Sequence, residues 1–94
     1  MKAVWKNTVI AESNDTIRSQ SKDYFPPESV KKEYLRESET RTMDPYRGPV
    51  SYYDIVIGGD VNKDAAMYLT EAKGANRQVN NYIAFSESKG VTIE

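Results

Sequence analysis

With no cysteine anywhere in its 94 residues, the chain has no disulfide to hold it and must fold by packing alone. That length suits one domain near the small end of the usual range, with a modest single core. Histidine is absent as well. The side chain that titrates near neutrality and the most nucleophilic thiol are both missing, and with them the usual carriers of neutral-pH acid–base, zinc and thiol chemistry. Seven tyrosines, one tryptophan and two phenylalanines remain, a set that favours binding. Thirteen basic against fourteen acidic residues leave a net charge of −1, so no overall field favours nucleic acid or an anionic membrane. Apolar runs such as Ile55-Val56-Ile57 are far too short to span a bilayer. Met1 runs into a strand-like pattern with no signal peptide, and a cytoplasmic setting is the default expectation.

Along the chain the signals are mostly β. Val4, Trp5, Val9 and Ile10 flank the turn-prone Lys6-Asn7, which predicts a strand pair over residues 3–13. Asn14-Asp15 reads as a second turn, followed by a short strand over 16–20. Tyr24-Phe25 lead into Pro26-Pro27, which stop a strand, and Pro27 suits the first turn of a helix. Glu28 early, Lys31, Lys32 and Arg36 late, and Val30 and Tyr34 four apart predict a short helix at about 27–35. Residues 38–48 are polar and read as a loop. Ser51 to Ile57 is the best strand, and Gly58-Gly59 a hairpin turn. The return strand runs through Val61 to Leu69, with a kink near Asn62 to Asp64. Thr70 caps a second helix bearing Ala72, Ala75, Val79 and Ile83, weakened by Gly74, which costs about 1 kcal/mol relative to alanine. Tyr82 to Phe85, a turn over 86–90 and Val91 to Ile93 close a last hairpin. The expected fold is a single mainly β (α+β) domain, residues 1–94, of antiparallel hairpins with two short helices.

Asp44, Asp54, Asp60 and Asp64 are the carboxylates nearest plausible loops. Paired carboxylates act as general acid and base only where burial or a neighbour raises one pKa. Aspartate more often caps or turns the backbone, and that is the preferred reading for all four, Asp60 above all. Arg47-Gly48 after Pro45-Tyr46 presents a guanidinium beside backbone N–H groups, a candidate anion contact. Gly58-Gly59 lacks the helix and the lysine-serine ending of a phosphate loop. Strand alternation puts Tyr53 with Ile55 and Ile57 toward the core, and Tyr52 with Asp54 toward the surface. Trp5 is expected in the core. Lys31, Lys32 and Arg36 are interleaved with Glu28, Glu33, Glu37 and Glu39, which makes a solvated face rather than a phosphate-tracking stripe. Met43, Tyr46, Arg47, Met67, Tyr68 and Leu69 form a mixed aromatic and aliphatic patch if their two loops meet. Alternation equally allows Met67 and Leu69 to point into the core.

The segments Tyr24-Phe25-Pro26-Pro27-Glu28-Ser29-Val30, Ser51-Tyr52-Tyr53-Asp54 and Val61-Asn62-Lys63-Asp64-Ala65-Ala66 resemble a bacterial family, domain of unknown function 427, sometimes labelled nucleotidyltransferase-like. Met1 to Asp15 and Tyr82-Ile83-Ala84-Phe85 resemble it too, so the likeness spans essentially the whole chain. It implies a compact, mostly β, single-domain protein, usually cytoplasmic, and no particular reaction. Where the family typically runs His-Thr-Thr-Cys-Pro-Trp-Lys-Gly, this chain has Arg41-Thr42-Met43-Asp44-Pro45-Tyr46-Arg47-Gly48. Trp-Tyr-Tyr-Pro-Glu-Pro gives way to Met67-Tyr68-Leu69-Thr70-Glu71-Ala72, and Glu-Gly-Asn-His to Gln20-Ser21-Lys22-Asp23. After Phe85 a second aromatic is replaced by Ser86-Glu87-Ser88. The departures fall near 18–23, 41–50, 67–76 and 86–89, mainly between strands or at their ends, where a scaffold tolerates change. Two origins fit this pattern: a natural member whose loops have drifted, or a family scaffold whose loops were varied to bind a chosen target.

The resulting expectation is a non-catalytic binding module that engages a protein partner through Lys22, Asp23, Met43, Asp44, Tyr46, Arg47, Met67, Leu69, Ser86 and Glu87. No catalytic residue, nucleic acid, membrane, metal or cofactor is expected. The alternative is a small-molecule or nucleotide-related enzyme of the resembled family, with Arg47 as anion contact and Asp44 or Asp54 as acid or base.

Overall fold

Three two-residue turns place most of the strands. Lys6-Asn7 (φ 50° and 58°), Gln20-Ser21 (49° and 67°) and Gly58-Gly59 (56° and 94°) all hold both central residues left-handed. That geometry matches the twist of paired strands. In the computed structural model, which describes residues 1–94, the turns join β1 (Lys2–Trp5) to β2 (Thr8–Glu12), β3 (Ile17–Ser19) to β4 (Lys22–Phe25), and β6 (Gly48–Ile57) to β7 (Asp60–Leu69). The remaining strands are β5 (Leu35–Asp44), β8 (Ile83–Phe85) and β9 (Thr92–Ile93). They form a three-stranded sheet ordered β2-β1-β9 and a six-stranded sheet ordered β3-β4-β8-β7-β6-β5, with every pairing antiparallel.

The six-stranded sheet carries a core on each face. Between the two sheets, Ala3, Ile10 and Ala11 pack with Phe25, Ile55, Ile83 and Phe85, the two phenylalanines meeting edge to face at 5.6 Å. On the opposite face, Tyr24, Val50, Met67, Leu69 and Ala84 lie under Ala72 and Val79 from residues 70–82. Full burial of a side chain such as Ile10, Ile55 or Leu69 is worth roughly 1.5–3 kcal/mol. The 70–82 segment is stapled by Asn80, whose side-chain amide accepts from Ala72 N–H (2.9 Å) and donates to its carbonyl (3.1 Å). Tyr53 packs on the inter-sheet core and stacks on Tyr68 at 4.8 Å. Trp5 is half-buried against the same core, with the Lys6 ammonium 5.4 Å from its ring.

The mainly β architecture matches the expectation, but neither expected helix is an α-helix. Residues 27–35 hold two 3-10 turns, Pro27–Ser29 and Lys32–Tyr34. Between them Val30 bridges to Ala11, and Lys31 N–H donates to the Ile10 carbonyl, so pairing with β2 interrupts the helical path. The second helix contracts to a 3-10 segment, Gly74–Val79, and Ile83 belongs to β8. The polar stretch read as a loop over 38–48 is mostly strand. β5 runs to Asp44, and only residues 45–47 turn. β5 is an edge strand, buried only at Ser38 and half-buried at Leu35, Thr40 and Asp44, and so shows no apolar alternation. The last hairpin also differs. β8 pairs with β4 and β7, while a 3-10 turn at Glu87–Lys89 and Gly90 (φ 90°) sends the chain to the other sheet. There β9 pairs with β1, and Lys2 and Glu94 exchange two backbone hydrogen bonds of 2.8 Å.

Candidate functional site

The β5–β6 turn is built around one aspartate. Asp44 accepts from the backbone N–H of Tyr46 (2.7 Å) and Arg47 (2.9 Å) and from the Arg47 guanidinium (3.1 Å). The two backbone donors hold its carboxyl below the usual carboxylate range, and the guanidinium adds to them. Arg47 is 17% exposed and gives its other terminal nitrogen to the Gln20 carbonyl at 3.0 Å. Asn76 ties in a third segment, donating to the Tyr46 carbonyl (3.3 Å) while accepting from Ser19 Oγ (2.8 Å). Gly48 (φ 82°) closes the turn, where L side chains are strained. The turn and the end of β5 therefore present Tyr46, 78% exposed, and Met43, 72% exposed, on a braced support. Beneath Arg47 lies the Tyr24 hydroxyl, buried and with no hydrogen bond of good geometry; burial raises its pKa against the lowering pull of the Arg47 guanidinium beside it.

A polar cluster sits further along the same sheet. β7 bulges opposite Tyr53 and Ile55, with Asp64 left-handed at φ 55°, and β5 bulges between Glu37 and Arg41. Asp54, 2% exposed on β6 between these bulges, accepts the Asp64 backbone N–H at 2.9 Å and Arg36 at 3.0 Å, with Lys63 at 3.5 Å. Burial pushes its carboxyl up, but that N–H, Arg36 and Lys63 outweigh it and leave the group below the usual range. The Asp64 side chain reaches across to β5, accepting from Ser38 Oγ (2.6 Å) and Thr40 Oγ1 (2.8 Å). The Ser38 bond is the largest influence lowering its pKa, with Thr40 and Lys63 assisting against partial burial. The sequence predicts Asp54 as a surface or turn residue. It is instead the acceptor that closes a bulge, because two flanking strands both carry extra residues there.

Of three hollows, the first and third adjoin the β5–β6 turn and the second lies between the β3–β4 turn and the 86–88 segment. The first, about 270 Å³, is lined by Lys22, Met43, Asp44, Arg47, Met67 and Ser86 of the expected residues. Tyr52, Thr42, Asp64 and Val50 add to it without having been singled out as partner-binding. Tyr52, expected at the surface, is half-buried there, and its hydroxyl pairs with Thr42 Oγ1 at 3.0 Å. Its alternation with core-facing Tyr53 was the available signal. The second hollow, about 220 Å³, gathers Lys22, Asp23, Ser86 and Glu87. The third, about 350 Å³, runs beside Tyr46 and Arg47 to Glu71 and Lys73. Leu69 joins none of them: it is fully buried under Ala72 and Val79, because β7 turns it to the second core. Met67, 8% exposed, belongs to both that core and the wall of the first hollow. No group of three acidic, histidine or cysteine side chains is placed to hold a metal ion.

Fold and site define a mainly β protein of two antiparallel sheets, with two hollows beside one braced turn. The chain belongs to the family described as Domain of unknown function (DUF427), whose family model matches residues 1–93. No curated protein matches the chain. No helix is long and apolar enough to cross a membrane.

Proposed function

We propose that this chain is a non-catalytic binding module, and that the β5–β6 turn with the adjoining 20–23 and 86–88 segments forms the surface that engages a protein partner. The observation that carries this reading is the exposure of Met43 and Tyr46 at a turn fixed by Asp44, Arg47 and Asn76. Large side chains held out on a rigid support bury apolar area on association with little backbone ordering cost. Arg47, Lys22, Asp23 and Glu87 supply a polar margin around them. The reading holds for a natural member and for a varied scaffold alike, and the partner is sought first in the cytoplasm.

The enzyme alternative finds less support. Arg47 spends both terminal nitrogens within the protein. Asp44 and Asp54 are held below the usual carboxylate range, the opposite of what a general acid near neutrality requires.

The test uses the native chain and a Met43→Ser/Tyr46→Ser variant as parallel baits, followed by affinity measurement with each purified candidate. The expected result is a protein retained by the native chain, whose affinity falls at least about a hundredfold in the variant, a loss of roughly 2.7 kcal/mol. Tm should be unchanged, since both side chains are mostly in water. A partner bound equally by both baits, or no protein preferring the native chain, overturns the reading.

A further inference from the structure

Four charged side chains line the first hollow, and three of them are already engaged. Asp44 accepts from two backbone N–H groups and from Arg47. Arg47 donates to Asp44 and to the Gln20 carbonyl. Asp64 accepts from Ser38 and Thr40 and faces Lys63 at 3.7 Å. Lys22 alone enters no ion pair and no side-chain hydrogen bond. It is half-buried on β4 and stands, with Phe85 and Ser86, in the wall shared by the first and second hollows. No carboxylate lies within ion-pair distance of its ammonium, so this positive charge is left for an anion to meet.

The neutral lining complements that charge. Thr42 and Tyr52 pair through their hydroxyls at 3.0 Å, as do Ser86 and Ser88 at 2.9 Å. Each pair uses one of its two hydroxyl protons internally and leaves the other free to be donated. Val50, Ala66 and Met67 contribute an apolar wall. At about 270 Å³ the space falls below the roughly 300–1,000 Å³ typical of drug-sized ligands.

From this arrangement we propose that the first hollow binds a small organic monoanion: a carboxylate with a short apolar body, its charge on Lys22 and its body against Val50 and Met67. A second negative charge is disfavoured, because Asp44 and Asp64 flank the space and no second uncommitted cation is present. Inorganic phosphate is therefore a poor ligand. The inference goes beyond the protein-partner reading and stands independently of it.

The test titrates the native chain with butyrate, isovalerate and benzoate, with inorganic phosphate as comparison, and follows backbone amide NMR signals. At least one carboxylate is expected to saturate, with shifts centred on Val50, Tyr52, Met67 and Ser86. Lys22→Gln should weaken it at least about tenfold, the loss of one charge-assisted hydrogen bond. Lys22→Arg, which keeps the charge, should retain binding, and Glu33→Gln, exposed and outside every hollow, should leave it unchanged. No saturable shift from any of the three acids overturns the proposal. So do shifts away from the hollow, an unchanged affinity in Lys22→Gln, or phosphate binding more tightly than the acids.

Discussion

Asp54 offers the sharpest test of how the six-stranded sheet is held. Its side chain is 3% exposed, while Arg36 and Lys63, which it faces, are each 58% exposed. Ion pairs with such exposed cations are worth up to about 1 kcal/mol each. The bond to the Asp64 N–H is different, because it satisfies a backbone donor left over by the β7 bulge. Asp54→Asn keeps an oxygen for that N–H and loses mainly the ion pairs, a cost of about 1 kcal/mol. Asp54→Ala also leaves the N–H without a partner, which adds about 1–3 kcal/mol. An unfolding entropy of roughly 2.1 cal/mol/K per residue makes 1 kcal/mol equal to about 5 °C in a chain of 94 residues. Tm should therefore fall by about 5 °C in Asp54→Asn and by about 10–20 °C in Asp54→Ala. Thermal melts followed by circular dichroism, with urea midpoints as a second measure, read the difference. Equal losses in the two variants would refute the role assigned to the backbone bond and leave only electrostatics.

Two further outcomes follow from the same geometry. Asp44, Asp54 and Asp64 are all held below the ordinary carboxylate value. Their stabilisation is thus complete above about pH 4–5 and is lost as pH falls through the lowered folded values. With no histidine in the chain, Tm should be flat from about pH 5 to 7 and drop only below; a decline centred above pH 5 would contradict this. Tyr24→Phe removes a buried hydroxyl without a partner, so stability should hold or rise by up to about 1–3 kcal/mol. A clear fall in the urea midpoint would show that the hydroxyl is bonded in solution.

The parts of the fold legible in the sequence are those fixed locally. Asn7 and Gly58-Gly59 announce tight turns through residues that accept positive φ, and both turns lie where expected, with Lys6 drawn into the left-handed region beside Asn7. The kink expected near Asn62 to Asp64 is the β7 bulge. β5 escaped notice because its pattern is set by pairing on a single edge, with only Ser38 buried, rather than by burial. The helix expected at 27–35 failed because Val30 is claimed by Ala11, a contact between segments that local spacing cannot reveal. The last hairpin expected from Tyr82 to Ile93 does not form, because β9 crosses to pair with β1. In the site, Met43, Tyr46 and Arg47 were legible because their turn chemistry is local. Tyr52 and Asp64 join the hollow only through the register of β5, β6 and β7.

Asn76 and Arg47 give the loops a shared fate. Arg47 fastens the β5–β6 turn to the β3–β4 turn at Gln20, and Asn76 joins the β5–β6 turn to β3 from the 3-10 segment. Three stretches far apart in sequence thus lean on one another's backbone carbonyls and hydroxyls. A substitution in any one of them changes which substitutions the other two tolerate. Grafting a single loop from a relative should accordingly fail more often than transplanting all three together. Substitutions on this surface should then be epistatic rather than additive in their effects on stability.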